Sequence, residues 1–384
     1  MKRIFLDYAS STPVAPEVQE VMKPWLSSNF ANPSALYSEA IDAKDALRFA
    51  RQSIASMLGG QAREVVFTSG GTESNNLALL GVCEVARSRG VVPHVITTVI
   101  EHPAILSVCE EINRRGGEVT ILPVSADGLV SAKDVREALR ENTVLVSVMY
   151  ANNEIGTIQP IRDIGRVIKE WRLKNISRFP YFHTDACQAV LYCDMHTERL
   201  GVDLLTLDGI KMYGPHGVGV LYVADGVDID PVMFGGGQER GLRSGTENVA
   251  GIVGFARALE LTLEKREKES ERLTDIRDYA IDILLKTFSS ASLNGSNKER
   301  LPNNVNVCFA GLDAEFAVVS LDVAGIATSY SSSCRNLKSD SSSYVVEALG
   351  KESCKNSSLR ITMGRDTTKH DIDRLVEELK KIVK

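Results

Sequence analysis

Apolar runs that alternate with amphipathic stretches, from about residue 60 to about residue 225, constrain the fold of this 384-residue chain most strongly. Several runs are continuous in Val, Ile and Leu, which is typical of strands covered on both faces. The stretches between them repeat apolar residues with the period of a helix. Strands alternating with helices predict an α/β fold with a mostly parallel sheet flanked by helices.

The pattern sets approximate bounds for these elements. The predicted strands are Glu64–Thr68, His94–Thr98, Glu118–Pro123, Thr143–Tyr150, Tyr181–Thr184, Asp203–Leu207 and Gly217–Val223. The predicted helices are Ser38–Leu58, Glu73–Ser88, Pro103–Arg115, Ala132–Glu141 and Ile161–Lys174. The first of these helices has Gly59 and Gly60 as its stop signal.

The alternation ends before a long helix predicted over residues 248–288, which is rich in Glu, Lys and Arg between apolar positions. Further elements follow it and predict a small α+β domain. They are the strands Asn304–Phe309 and Ser358–Thr362 and the helices Asp313–Val323, Tyr344–Leu349 and His370–Val383.

Charge and cysteine usage exclude several classes of protein. A net charge of −6 argues against a nucleic-acid partner held by phosphate charge. No apolar run approaches the roughly 18 residues of a membrane span, and Ile4–Leu6 is too short for a secretory signal. The seven cysteines are sparse and none has metal-ligand spacing, so we expect no disulfide framework and a cytoplasmic protein with reduced thiols. Six of them are expected to be small buried hydrophobes: Cys83, Cys109, Cys187, Cys193, Cys308 and Cys354.

A glycine-rich turn, Phe67–Ser74, joins a predicted strand to a predicted helix. Gly70 and Gly71 let backbone N–H groups approach an anion, and a helix beginning at Thr72 adds the positive end of its dipole. The turn is a phosphate cradle in one interpretation and an ordinary structural turn in the other.

Two charged side chains follow later strands. Asp185 closes a buried strand, where a carboxylate needs a partner such as a pyridinium N–H; the alternative is a cap on the next helix. Lys211 follows an apolar strand and precedes a Gly/Pro-rich turn. It is either a Schiff-base lysine in a desolvated pocket or an ordinary surface lysine.

The order of these features is that of a pyridoxal-phosphate site on a large α/β domain. Gln188 lies three residues after Asp185, where it could reach a ring oxygen. His102 either stacks over the pyridine ring or only starts a helix. Asn153 follows the strand Thr143–Tyr150, at the usual ligand edge of an α/β sheet, or is a plain turn residue.

On these residues the chain resembles the cysteine desulfurases, which are pyridoxal-phosphate-dependent enzymes of the class-V-aminotransferase-like family. It is most similar to the group with a long loop around the catalytic cysteine. The resemblance runs nearly end to end. It rests on Leu6–Ala9, Asn32–Ser34, Phe67–Ser74, Glu101, His102, Asn152–Gly156, Asp185–Gln188, Lys211, Tyr213–Pro215, Gly235–Thr246, Cys334 and Ser358–Arg360.

The resemblance implies a fold-type-I enzyme with a large domain built on a seven-stranded sheet. The large cofactor-binding domain would span residues 15–255, and the small α+β domain, residues 256–384, would carry the catalytic-cysteine loop. Residues 1–14 would contribute to the small domain.

Each matching residue then has an implied role toward the cofactor. Lys211 would bind pyridoxal phosphate as a Schiff base, and Asp185 would keep the ring nitrogen protonated. Gln188 and Asn153 would hydrogen-bond the hydroxyl side of the ring, while His102 would stack on it and transfer protons. The implied phosphate-binding residues are Gly71, Thr72 and, from the other subunit of a homodimer, Thr246; Asp208 and Gly209 are further cofactor-binding positions.

The implied substrate is L-cysteine. Arg360 and Asn32 would bind its carboxylate, which suits the fork of a guanidinium. Cys334, whose thiolate Arg335 and Lys338 would favour, would attack the substrate sulfur and leave alanine and a persulfide. The acceptor would be a protein of iron–sulfur cluster assembly or tRNA thiolation. No metal site is expected, although Cys334 is a potential iron–sulfur ligand.

Two positions depart from the family pattern, which has Ser-x-His before the lysine. Here the residues are Asp208, Gly209 and Ile210. An ionised Asp208 would repel the phosphate, so it turns away, pairs with a cation, or marks weakened cofactor binding. The alternatives to a desulfurase are therefore a degenerate dimeric scaffold and a related pyridoxal-phosphate lyase or aminotransferase.

Overall fold

The computed structural model describes residues 3–330 and 342–383. The strands are β1 Ile4–Phe5, β2 Val65–Thr68, β3 His94–Thr98, β4 Glu118–Leu122, β5 Thr143–Ser147, β6 Tyr181–Asp185, β7 Leu204–Asp208, β8 Gly219–Val223, β9 Ala291–Leu293, β10 Asn304–Phe309, β11 Ile326–Ala327 and β12 Ser358–Thr362. The helices are α1 Pro16–Leu26, α2 Ser38–Leu58, α3 Gly71–Ser88, α4 Pro103–Arg114, α5 Ala132–Ala138, α6 Ile161–Asn175, α7 Thr197–Leu200, α8 Val249–Thr287, α9 Ala314–Val323, α10 Tyr344–Ala348 and α11 Lys369–Ile382.

The large sheet has seven strands in the order β2-β8-β7-β6-β5-β3-β4. Strands β7, β6, β5, β3 and β4 are parallel to one another, whereas β8 is antiparallel to both β2 and β7. Every residue of β3, β5 and β6 is buried, as their continuous apolar runs predict. The α/β fold with a mostly parallel seven-stranded sheet is therefore confirmed.

Helices cover both faces of this sheet. Apolar residues of α2, α6 and α8 pack against one face, and those of α3 and α4 pack against the other. Helix α2 ends where the two glycines predict, because Gly59 adopts φ +77° and its N–H reaches the carbonyl of Ala55. Strand β5 is shorter than predicted and ends at Ser147 rather than Tyr150.

A smaller unit is built on the antiparallel sheet β12-β10-β9. Helix α8 runs without interruption from the first unit to this one, with Leu259 in the large core and Leu273 in the small one. Strand β1 pairs in parallel with β11, which brings the first residues of the chain to the small unit. The domain bounds 1–14, 15–255 and 256–384 stay a prediction.

Cys308 in β10 and Cys354 just before β12 form a disulfide, with their Cα atoms 5.4 Å apart. The expectation of reduced thiols is wrong for this pair. The two residues are separated by 46 positions, and only the pairing of β10 with β12 brings them together. Cys83, Cys109 and Cys187 are free and buried, as predicted, while Cys193 is free and half-buried. No helix in residues 3–330 and 342–383 has the length and apolar character to cross a membrane.

Candidate active site

A cavity of about 120 Å³ opens at the carboxyl ends of the parallel strands. This is the edge at which ligands bind in open α/β sheets. Its walls bring together most of the residues expected from the sequence. The lining residues are Ala9, Ser10, Gly71, Thr72, Asn75, His102, Met149, Ala151, Asn153, Asp185, Cys187, Gln188, Asp208, Lys211 and Arg360.

Asp185 ends β6 at the floor of this cavity and is only 8% exposed. Its Oδ2 accepts a hydrogen bond from Asn75 Nδ2 at 2.8 Å, and its Oδ1 accepts one from the backbone N–H of Cys187 at 3.0 Å. These two bonds fix the orientation of the carboxylate in the cavity. Asn75, one helical turn after Gly71, is not singled out by the sequence, because it stands in the polar run Thr72–Asn76, which does not show which amide is buried.

Lys211 lies in the 3₁₀ turn that follows β7. Its Nζ donates to the carbonyl oxygens of Ala9 at 2.9 Å and Ser10 at 2.6 Å. The amide of Gln188 donates to the same Ala9 carbonyl at 2.9 Å. The first residues of the chain therefore form one wall of the site, a contribution of backbone atoms that no side-chain pattern predicts.

His102 is the N-cap of α4, and its Nδ1 accepts the backbone N–H of Ala104 at 3.1 Å. Burial lowers the pKa of His102, which favours a neutral ring with its proton on Nε2. Behind it, the fully buried carboxyl of Glu101 accepts bonds from Met149 N–H and from the Thr98 hydroxyl. Burial raises the pKa of Glu101 to about 8.

The turn between β2 and α3 forms the opposite end of the cavity. A Cβ added to Gly71 would lie 2.8 Å from Cys187 Sγ, so only glycine fits there without a shift. The N–H of Gly71 donates to Asp208 Oδ2 at 2.9 Å, and the N–H of Ile210 donates to Oδ1 at 3.2 Å. Asp208 thus faces the cavity and does not turn away from it.

Arg360, in β12, reaches the cavity from the small sheet and is 1% exposed. Its Nη2 pairs with Asp7 Oδ1 at 2.7 Å, and its Nη1 donates to the carbonyl of Asn153 at 3.2 Å. Its buried Nε has no hydrogen-bond partner among the described residues. A buried guanidinium with a spare N–H is suited to an anionic ligand.

Three expected site residues lie away from the cavity wall, and a fourth is not described. Asn32 is exposed, and its Oδ1 accepts the N–H of Ser34. Thr246 is exposed and does not line the cavity described for residues 3–330 and 342–383. Gly209 is buried behind the wall, where a Cβ would meet the Pro215 carbonyl at 2.6 Å. Cys334 lies outside the described residues.

Residues 4–375 match the aminotransferase class-V family. The chain therefore belongs to the class-V aminotransferases. A cysteine desulfurase IscS of Dictyoglomus turgidum is 43% identical to it over 100% of this chain and 95% of its own length. One from Methanosarcina thermophila is 43% identical over 100% of this chain and 92% of its own length. Within the family the chain is thus a pyridoxal-phosphate-dependent enzyme of the cysteine desulfurase group.

Solved structures agree with this placement. A protein described as NifS-like superposes with a TM-score of 0.91 at 32% identity, covering 99% of each chain. A structure described as SspA in complex with cysteine superposes with a TM-score of 0.81 at 37% identity, covering 94% of this chain and 98% of its own.

The residues of the cavity fit pyridoxal phosphate. They provide a lysine amine, a buried carboxylate on the floor and, at the opposite end, a glycine-bounded helix N-terminus with an inward N–H. These are the groups that hold an aldehyde, a ring N–H and a phosphate. Asp208 does not fit this pattern, because its carboxylate already accepts the hydrogen bond from the Gly71 N–H that a phosphate would use.

Proposed function

We propose that the chain converts L-cysteine to L-alanine and passes the sulfur, as a persulfide on Cys334, to an acceptor protein. One observation carries the proposal: the amine of Lys211, the carboxylate of Asp185 and the guanidinium of Arg360 line a single cavity. The proposal is also supported by relatives named cysteine desulfurase, which match this chain over its full length.

Each side chain has a task that follows from its position. Arg360 binds the substrate carboxylate through the N–H that has no partner among the described residues, and it orients the α-carbon. Lys211 removes and returns protons at the substrate, since its amine lies inside the cavity. Asp185 accepts the N–H of the cofactor ring. Pyridoxal phosphate, when bound, supplies an electron-withdrawing ring that stabilises negative charge at the α-carbon.

Gln188, Asn153 and His102 complete the ring-binding wall in this proposal. Gly71 and Thr72 present N–H groups of the α3 terminus to the phosphate. Asn32, Gly209 and Thr246 keep their implied roles as predictions.

The sulfur transfer balances without an external oxidant. The Cβ–S bond of cysteine breaks, an S–S bond forms at Cys334, and a proton takes the place of sulfur on Cβ. The described residues before and after Cys334 in the sequence lie close enough to the cavity to support access of Cys334 to it. Ser329 exchanges backbone hydrogen bonds with Arg360, and the Ser343 hydroxyl donates to Glu154 at 2.6 Å. Five residues from Ser329 to Cys334 extend up to roughly 17 Å.

A homodimer is part of the proposal. Large apolar side chains are exposed around α1 and α2 and next to Gly235, and clustered exposed apolar side chains are a mark of protein–protein interfaces. They are Leu26, Phe30, Leu36, Tyr37, Ile41, Phe49 and Phe234. Thr246, also exposed, would then reach the phosphate of the other subunit. Sedimentation at low protein concentration tests this: a monomer would contradict it.

We place the reaction in the cytoplasm, because Cys334 acts as a reduced thiol and reducing compartments keep it so. The acceptor would be an iron–sulfur scaffold protein or a tRNA-thiolation enzyme. Transfer of ³⁵S from labelled cysteine to each class of purified acceptor distinguishes the two.

The decisive experiment measures alanine released from L-cysteine by the purified chain with pyridoxal phosphate and a reducing thiol. We expect Cys334→Ala to abolish release and Cys193→Ala, a change at a free cysteine outside the cavity wall, to leave it intact. Alanine formed equally by Cys334→Ala would favour a related lyase, and consumption of cysteine without alanine would favour an aminotransferase. A folded chain without the violet-blue absorbance of bound cofactor would favour the scaffold.

A further inference from the structure

Asp208 occupies the anion-binding position of the cofactor site with its own carboxylate. Its Oδ2 accepts the N–H of Gly71, the first residue of α3, at 2.9 Å. Its Oδ1 is held by the N–H of Ile210 at 3.2 Å, so the side chain is fixed from both sides. A phosphate that takes the Gly71 N–H must therefore come into contact with Oδ2.

An ionised Asp208 carboxylate and a phosphate that meet at the Gly71 N–H repel each other, because both are negatively charged and both present lone pairs. A hydrogen between the two oxygens would remove this repulsion. Asp208 is tethered through Oδ1 and cannot leave without giving up that bond. A proton on Oδ2 resolves the conflict, since a carboxylic acid donates to a phosphate oxygen at hydrogen-bond distance.

The charged groups around Asp208 set how readily it takes that proton. Lys211 on the same turn favours the carboxylate, whereas Asp185 at the end of β6 disfavours it. His102 faces it from the start of α4, and the buried Cys187 thiol lies beside Gly71. Farther along the first turn of α3, Glu73 is paired with Arg243. Burial is the largest influence and raises the pKa of Asp208.

We propose that Asp208 takes up one proton from solvent when the cofactor phosphate binds and donates it to a phosphate oxygen, while the Gly71 N–H passes from Asp208 to the phosphate. The proposal rests on pyridoxal phosphate being the cofactor. It makes Asp208 a positioning residue that, once protonated, donates a hydrogen bond to the phosphate as a serine hydroxyl at this position could.

The consequence is a cofactor affinity that falls as pH rises. The complex holds one more proton than the separate partners, so binding weakens by up to about tenfold per pH unit above the pKa of the free carboxyl. Asp208→Asn supplies a donor that does not titrate, and so does Asp208→Ser. Both variants should lose this part of the pH dependence.

The test measures dissociation constants of pyridoxal phosphate from the full chain, freed of cofactor, between about pH 6 and pH 9. The wild-type value is divided by the Asp208→Asn value, which cancels the titration of Lys211 and of the phosphate itself. Pyridoxal, which lacks the phosphate, is the matched control ligand. Asp208→Ser repeats the comparison with the family residue.

We expect the ratio to rise with pH for pyridoxal phosphate and to stay constant for pyridoxal. A ratio above one that does not change with pH would mean an ionised Asp208 that only repels phosphate, and it would overturn the proposal. An equal rise with pyridoxal would overturn it too. If neither protein binds pyridoxal phosphate, the cofactor assignment fails together with the inference.

Discussion

Asn75 and Asp185 face each other across the floor of the cavity, with Nδ2 of the amide 2.8 Å from Oδ2 of the carboxylate. The contact joins helix α3 to the end of strand β6, which carries the carboxylate proposed to bind the cofactor ring. Asn75 therefore fixes the direction in which Asp185 presents its charge.

Replacing Asn75 tests that role. Asn75→Ala should slow alanine formation by roughly tenfold to a hundredfold, because a hydrogen bond to a charged group contributes about 1.5–3 kcal/mol. Asn76→Ala is the control, since among the described residues the adjacent amide donates only to the Thr72 carbonyl of its own helix. Equal rates for the two variants, measured by alanine release, would remove Asn75 from the site.

Glu101 should make the stability of the chain depend on pH. Its pKa of about 8 in the folded state lies above the ordinary value, so the folded chain holds one more proton than the unfolded chain between about pH 5 and pH 8. The free energy of unfolding then falls as pH rises, by up to about 1.4 kcal/mol per unit, and levels off above the folded pKa. Glu101→Gln should flatten this slope in denaturation measured across that range. Parallel curves for both proteins would contradict the prediction.

Arg360→Lys keeps the positive charge but loses the planar fork. We expect the KM for cysteine to rise by about tenfold or more while kcat changes less, because the lost bonds hold the substrate in both ground and transition states. Cysteamine, which lacks the carboxylate, should bind both proteins equally. A fall in kcat with KM unchanged would assign Arg360 a different role.

Gly71→Ala should weaken cofactor retention, since its Cβ would meet Cys187 Sγ at 2.8 Å. The double variant Gly71→Ala, Cys187→Ala removes the sulfur and should recover much of the affinity. Dialysis followed by absorbance of the retained cofactor measures both. Without recovery, the loss would come from the N–H geometry of the turn rather than from the collision.

The Cys308–Cys354 disulfide should stabilise the folded chain by about 2–4 kcal/mol relative to the reduced chain, because it closes a loop in the unfolded state. Thiol titration of the denatured, unreduced protein should find two fewer free thiols than its seven cysteines. The double variant Cys308→Ala, Cys354→Ala should then have a denaturation midpoint that does not change when a reductant is added. Seven titratable thiols would contradict the pairing.

The sequence predicts those parts of the site that follow strands. Asp185, Lys211 and Gly71 each come within four residues after a predicted strand, and parallel strands end at one edge, so their convergence follows from the fold class. The carbonyls of Ala9 and Ser10 have no side-chain signature. The partners Asn75–Asp185 and Cys308–Cys354 are separated by 110 and 46 positions and meet only through the strand order.

Asp208 shows a second limit of sequence-based prediction, since its residue type was known but its orientation was not. Its residue type raised three alternatives, and the backbone geometry of Gly71 and Ile210 excluded one of them. The local sequence determines which backbone N–H groups are present. The distance between the turn that carries Gly71 and the turn that carries Asp208 depends on the packing of β2, β8 and β7.

Strand β1 has a consequence for the order in which the protein matures. Ile4 pairs with Ile326, and Asp7 pairs with Arg360 at a separation of 353 residues. During synthesis the large sheet is complete long before either partner leaves the ribosome. Contacts that close so long a loop form late. The carbonyls that hold Lys211 are therefore fixed only after residues 326–360 have been synthesised, and cofactor loading is expected to follow that step.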